Sequence, residues 1–257
     1  MENKNTYESG DVVLNYYKSD YLHYPEKNML AALRPGLHRM KMLDVGTGAG
    51  RTSFHFAPLV KEYIGIDYSQ NMVDACKRRF KRQKGKISFR LCDARNMDIF
   101  EDNSFDFILV SSNALDYISH EDRIKSLNEI RRVGKKRAIL LFSSHNLQTL
   151  DRLLEIKFSP NPIKLLKSVL THILLRAINK NFFQLRKKKY ATLNDGAHRF
   201  RLSTYYIKPK EQIAQLESAG FKKIKVYSSE DGTEITKQEL ETTDKGVYHG
   251  LYYLCKM

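Results

Sequence analysis

Short apolar runs alternate with amphipathic stretches along the first 145 residues. Lys41 to Val45 (KMLDV), Tyr63 to Asp67 (YIGID), Ser88 to Cys92 (SFRLC), Phe105 to Val110 (FDFILV) and Ala138 to Phe142 (AILLF) are brief and bounded by polar or turn residues. Buried strands of a parallel sheet carry this pattern. Between them, Gln70 to Phe80 places Met72, Val73, Cys76 and Phe80 at helical spacing, with Lys77, Arg78 and Arg79 turned away. Glu121 to Val133 repeats Ile124, Leu127, Ile130 and Val133 at intervals of three, which predicts a second amphipathic helix. Strand and helix in this order predict an α/β fold with right-handed crossovers and helices on both faces of the sheet.

The alternation stops after Phe142. Ile163, Leu166, Leu170, Ile173, Leu174 and Ala177 form an apolar helical stripe, with Lys164, Lys167, Thr171 and Arg176 beside it. The stripe is expected to pack on the domain or on a second subunit. The pattern returns at Pro209, where a helix through Ile213 and Leu216 is expected to stop at Gly220 in a left-handed cap. Lys223 to Tyr227 (KIKVY) and Tyr248 to Cys255 (YHGLYYLC) read as two more strands, and 228–246 as a polar loop or hairpin extension. The predicted organisation is an N-terminal arm or lid (1–24), a core in two pieces (25–146 and 207–257), and an inserted helical cap (147–206).

Composition and charge narrow the classes. Three widely spaced cysteines, Cys76, Cys92 and Cys255, exclude a disulfide scaffold and a Cys-rich zinc site, and favour a reducing compartment. No metal site is expected. The start of the chain, Met1 to Asp11, lacks the apolar core of a signal peptide, and no apolar run reaches the roughly 20 residues of a membrane span. A cytoplasmic protein is the expectation. The net charge is +15. Residues 147–210 hold fourteen Lys or Arg against Asp151, Glu155 and Asp195, a segment charge of +11. Such an excess raises the question of an anionic partner.

The most informative stretch is Leu43-Asp44-Val45-Gly46-Thr47-Gly48-Ala49-Gly50, a strand running into a turn with glycine at alternate positions. Glycine there permits positive φ and lets backbone touch a ligand. A dinucleotide site would read Gly-x-Gly-x-x-Gly, but the last position is Arg51, and no Gly-Lys-Ser/Thr follows for a phosphate loop. The Asp-x-Gly-x-Gly-x-Gly spacing resembles motif I of class I S-adenosylmethionine-dependent methyltransferases. Two more features match. Asp67 ends the second strand 21 residues after Gly46, and Asp93-Ala94 follow the third. Leu216-Glu217-Ser218-Ala219-Gly220-Phe221 also looks like that family's lead into its late strands.

The resemblance implies a Rossmann-like seven-stranded, mostly parallel sheet whose last strand is antiparallel. The basic helical insert after strand 5 is an addition to that minimal fold. It implies S-adenosylmethionine as cofactor and S-adenosylhomocysteine as product. The implied cofactor residues are Asp44, Gly46, Thr47 and Gly48 at the turn, Asp67 at the ribose, Tyr68 and Met72 beside it, Asp93 and Ala94 at the adenine, and Ser111 near the sulfonium. Methyl transfer is an in-line displacement in which alignment supplies much of the rate. A base helps only when the acceptor is a hydroxyl or a protonated amine. His145 and Tyr117, near the ends of the fifth and fourth strands, are the candidate catalytic groups. Tyr16, Tyr17, Asn113, Asp116, His145, Tyr205 and Tyr206 are the candidate substrate contacts.

Four readings of the partner stay open. A small molecule such as a sugar, metabolite or natural-product scaffold is the first, with a monomer or homodimer closing over it. RNA gripped by Lys187 to Lys189 and the basic insert is the second. A lipid acceptor at an anionic membrane surface, contacted by the stripe from Ile163 to Ile178, is the third. A protein that binds the cofactor without an acceptor site is the fourth.

Overall fold

Alternate residues of the central strands turn to opposite faces, and each face meets its own helices. In the computed structural model, which describes residues 2–83, 85–179, 181–242 and 248–257, ten strands form one sheet. They are β1 (Lys41–Val45), β2 (Glu62–Asp67), β3 (Ile87–Leu91), β4 (Phe105–Val110), β5 (Gly134–Asn146), β6 (Tyr190–Leu193), β7 (Thr204–Ile207), β8 (Lys222–Ser228), β9 (Glu234–Ile235) and β10 (Gly250–Lys256). The helices are α1 (Glu2–Glu8), α2 (Gly10–Tyr17), α3 (Tyr24–Leu33), α4 (Ser53–Phe56), α5 (Gln70–Arg79), α6 (His120–Val133), α7 (Leu150–Leu153), α8 (Pro162–Ile178), α9 (Phe182–Leu185), α10 (Ala197–Phe200), α11 (Pro209–Ser218) and α12 (Lys237–Thr242).

The main path through the sheet is β3-β2-β1-β4-β5-β10-β8-β9. β1 to β5 pair in parallel, and β10 runs antiparallel between β5 and β8. The fold is therefore the expected mostly parallel sheet with an antiparallel last strand. Leu43, Val45, Ile108, Val110 and Leu140 pack beneath α6 and α11 through Leu127, Ile130, Val133 and Leu216. Met42, Tyr63, Phe107, Leu109 and Leu141 pack on the other side with Phe56, Val73, Cys76 and Phe80. Each such burial of a Leu, Ile or Phe side chain is worth about 1.5–3 kcal/mol. The crossover helices are capped as their sequence suggests. Ser69 Oγ accepts from the Met72 N–H at the start of α5, and Ser119 Oγ from the Asp122 N–H at the start of α6. Gly220, at φ +89°, ends α11 in the left-handed conformation that the sequence suggests.

Four sequence expectations need correction. Ile124 is exposed although Leu127, Ile130 and Val133 are buried. A row at intervals of three slips about 60° per step on a 3.6-residue helix, so Ile124 lies half a turn from Val133. Arg123 takes the inward position instead. The insert is not wholly helical: β7 pairs in parallel with the end of β5, and β6 pairs antiparallel with β7. Tyr205 and Tyr206 accordingly sit in a strand rather than at a helix entrance. The apolar stripe of α8 is not packed on the domain, for Ile163, Leu166, Leu170, Ile173 and Leu174 are all exposed. In the polar segment, β9 forms a short hairpin with β8 and α12 follows. Residues 243–246 of that segment, and Lys180 of the insert, lie outside the described residues.

Candidate functional site

The glycine turn lies at the carboxyl edge of the sheet, where open α/β folds bind ligands. Two bonds tie it to β2: the Gly46 and Thr47 N–H groups donate to the Ile66 carbonyl at 2.9 and 3.0 Å. Gly46 has φ +70°, and a Cβ built on it would sit 2.5 Å from Ala114 Cβ. Gly48 has φ +55°, and its Cβ would sit 3.0 Å from the Tyr16 ring. Only glycine leaves the backbone of this turn open toward the cavity. Asp44 supports the turn from beneath. Its buried carboxylate accepts from the Tyr63 hydroxyl at 2.5 Å, from Thr52 and, more distantly, from Thr47. Burial pushes its pKa up to about 6, against the hydrogen bonds of Thr52 and Tyr63. Asp44 and Thr47 therefore shape the turn without lining the cavity.

The cavity encloses about 770 Å³ of empty space, part of it open to solvent. Small-molecule sites typically fall in this range. Gly46, Gly48, Asp67, Tyr68, Met72, Asp93, Ala94 and Ser111 line it, as do Tyr16 and Tyr117. Asp67 Oδ2 accepts from the Gly48 N–H and Oδ1 from the Ser69 N–H, each at 2.9 Å, so one carboxylate joins the turn to the start of α5. Burial raises its pKa to about 6 despite those two bonds. Next to it, the Tyr68 hydroxyl is buried with no hydrogen-bond partner. An orphaned hydroxyl in a cavity wall is a place for a polar ligand atom. The Asp93 carboxylate is held at both oxygens by Arg95, at 2.6 to 3.1 Å. Although partial burial opposes it, that guanidinium keeps the Asp93 carboxyl below its ordinary value.

The roof comes from the arm and the insert. Tyr7 of α1 packs against Tyr16 and Tyr117 at centroid distances of 6.0 and 5.4 Å. His198 of α10 stacks on Tyr16 at 6.1 Å and is half-buried. The arm is tied down at its edge. The Glu8 carboxylate accepts from the Gln70 and Asn71 N–H groups at the α5 start, and Asn3 Nδ2 donates to the Tyr117 carbonyl at 2.8 Å.

A buried ion pair closes the cavity wall at Ser111 and Ser112. The Arg51 guanidinium grips both oxygens of Glu26 at 2.7 and 2.8 Å and donates to Ser111 Oγ and Ser112 Oγ. The Tyr252 hydroxyl donates to Glu26 Oε1 at 2.8 Å, and Ser111 donates to the same oxygen. Burial opposes the charge on Glu26, but Arg51 outweighs it and holds the carboxyl below its ordinary value.

The other candidate residues gather behind the cavity. Asp116 is fully buried and pairs with Arg123, whose guanidinium also donates to Ser144, Gln212 and Gln215 and stacks on Phe142 and Tyr205. Asp116 Oδ2 accepts from His145 Nδ1 at 2.8 Å and from the His145 backbone N–H at 2.6 Å. That bond places the proton on Nδ1, so Nε2 accepts from Asn113 Nδ2 at 3.0 Å. Both ring nitrogens of His145 are therefore engaged, and neither it, Asp116 nor Asn113 lines the cavity. Tyr205 is fully buried with its hydroxyl on His120 Nδ1, and Tyr206 stacks on His145 with its hydroxyl on Asp195. Tyr17 turns outward under Arg79. These residues frame the site and do not face it.

Tyr7 and Arg95 line the cavity and were not foreseen. Only Arg95 had a readable signal, two positions after Asp93. Among the described residues no cluster of His, Cys, Asp or Glu could hold a metal ion, and no helix is long and apolar enough to cross a membrane.

Known proteins share this fold. Residues 42–137 match a family described as methyltransferase domain. Over those residues the chain is similar to methyltransferase domains, and its fold is that of S-adenosylmethionine-dependent methyltransferases of known structure. One relative of that domain, the uncharacterised methyltransferase YcgJ of Bacillus subtilis, is 34% identical over 109 residues, 41% of this chain. The match spans only 40% of YcgJ. The demethylmenaquinone methyltransferase of Staphylococcus haemolyticus is 25% identical over 75% of this chain and 72% of its own length. Beyond the domain, the likeness is one of fold. A methyltransferase structure from Clostridium acetobutylicum superposes with a TM-score of 0.62 over 92% of both chains at 15% identity. The 1,6-didemethyltoxoflavin-N1-methyltransferase of Burkholderia thailandensis, solved with that compound and S-adenosylhomocysteine, gives 0.58 over 98% of this chain and 84% of its own at 14% identity.

Proposed function

We propose that the protein transfers a methyl group from S-adenosylmethionine to an oxygen or nitrogen of a small molecule. The observation that carries the reading is the single cavity in which the open Gly46–Gly48 backbone, Asp67, the unpartnered Tyr68 hydroxyl and Asp93-Ala94 converge. When bound, the cofactor supplies a methyl group already activated on a sulfonium sulfur. The side-chain-free backbone of Gly46 and Gly48 leaves room for its amino-acid end beside Ser111, while Asp67 is suited to the ribose hydroxyls and Asp93 with Ala94 to the adenine edge. Tyr7, Tyr16 and Tyr117 exclude water and present ring faces that favour a cation.

Burial raises the Tyr117 pKa well above the usual tyrosine range, so its hydroxyl stays protonated and orients an acceptor rather than deprotonating it. His145, fixed by Asp116 and Asn113, packs edge-on against Tyr117 at 6.3 Å and acts as a positioning residue for that ring. Alignment then contributes most of the rate. The closed aromatic roof favours a small acceptor over a polymer. Within small molecules, the demethylmenaquinone methyltransferase relative favours a quinone-type ring.

Labelled cofactor incubated with an extract, then fractionated into metabolites, lipids and RNA, tests the reading. Label in the small-molecule fraction is expected, and label in RNA alone overturns it. Calorimetry that detects no binding of S-adenosylhomocysteine would remove its basis.

A further inference from the structure

The face of α8 that the sequence marks as a packing face looks into solvent. Ile163, Leu166, Leu170, Ile173 and Leu174 are between 47% and 64% exposed, and Phe158 just before the helix is 91% exposed. The opposite face is the one that docks. Leu175 is buried, His172 Nδ1 bonds the Leu154 carbonyl at 2.6 Å, and Ser168 Oγ accepts from the Lys157 N–H at 2.7 Å. Phe183, past the other end of the helix, is also exposed, with Lys187 Nζ 5.7 Å from its ring centroid.

Exposed lysines flank this surface at 157, 164, 167 and 187. Two of the segment's three acids are engaged elsewhere, Asp151 with Arg186 and Asp195 with the Tyr206 hydroxyl, and the third, Glu155, is exposed. A contiguous apolar patch of this kind marks an interaction surface. The charge decides the occupant. A second copy would bring two segments of net charge +11 together. Nucleic acid would meet the lysines but leave the isoleucines, leucines and phenylalanines in water. An anionic bilayer satisfies both, taking the apolar side chains below the headgroups while the lysines reach the phosphates. The 17-residue helix is about 25 Å long, enough to lie in the interface plane.

We propose that α8, with Phe158 and Phe183, anchors the protein on an anionic lipid surface. Co-sedimentation with vesicles of phosphatidylcholine alone, or mixed with phosphatidylglycerol, tests this without cofactor or acceptor. The result is therefore separate from the catalytic reading. Binding to the mixed vesicles is expected to exceed binding to the neutral ones by tenfold or more and to weaken with salt. The L166D/L170D variant should lose it while keeping the wild-type melting temperature, because both positions are exposed. The K164Q/K167Q variant should lose about fivefold per lysine neutralised. Equal binding to both vesicle types, or none to either, overturns the proposal. So does a wild-type dimer that L166D/L170D splits in the absence of vesicle binding.

Discussion

Replacing Asp67 by Ala tests the core of the functional reading. The carboxylate accepts from the Gly48 and Ser69 N–H groups at 2.9 Å while lining the cavity, so the substitution removes both a support of the turn and a ligand contact. A hydrogen bond to a charged acceptor is worth about 1.5–3 kcal/mol. At about 1.4 kcal/mol per tenfold, the ligand contact alone predicts a rise of roughly 12- to 150-fold in the dissociation constant for S-adenosylhomocysteine. Calorimetry with that compound measures it, and melting of the ligand-free variant separates turn damage from lost contact. Burial sets the pH dependence. The folded carboxyl titrates at about 6 against an ordinary 3.8, so affinity should climb as the pH rises through 6 and level off above it. Stability has the opposite sign: this group favours the folded state below 3.8, and that contribution fades as the pH rises through 6. A folded D67A protein with wild-type affinity would refute the reasoning.

Three further outcomes follow from the buried groups. Arg123→Ala leaves Asp116 buried without its cation, a loss of about 3–5 kcal/mol and, for a chain of this length, roughly 6–20 °C in melting temperature. A fall of under about 2 °C in a thermal melt would contradict the pairing, and D116N/R123M should restore part of the loss. Glu26 is held below its ordinary value of 4.5, so its stabilising contribution is whole above that pH and is lost as the pH falls through the folded value. Wild-type melting temperature should therefore drop more steeply below pH 4.5 than that of Glu26→Gln, and parallel curves would count against the buried pair. Gly46→Ala forces a side chain to φ +70° and against Ala114, destabilising the turn by about 1–2 kcal/mol and weakening S-adenosylhomocysteine binding in the same titration.

Where contacts are local, the sequence is readable. β1, β2 and β4 begin and end within a residue or so of their apolar runs, because strands buried on both faces admit little else. Gly46, Gly48, Asp67, Met72 and Asp93 were legible because each stands at a strand tip or on the first turn of the next helix. Tyr7 and His198 reach the same cavity roof from opposite ends of the chain, and nothing near either residue announces that meeting. The α8 stripe misled for a different reason. Periodicity shows that one side of a helix is apolar, not whether protein or solvent meets it. The short β7 pairs with the far end of the long β5 and β6 in turn pairs with β7, conditions that four-residue runs do not encode.

Glu26 and Glu8 divide the first thirty residues into two unequal attachments. α3 is locked by the buried contacts of Arg51, Ser111 and Tyr252, whereas α1 and α2 pack Tyr7, Val12 and Val13 against Ala49, Met72, Ala75 and Leu202, with Glu8 and Asn3 bonding at the rim. The two attachments differ in kind: protonating Glu26 would loosen the wall at Ser111 and leave the apolar packing of the roof in place.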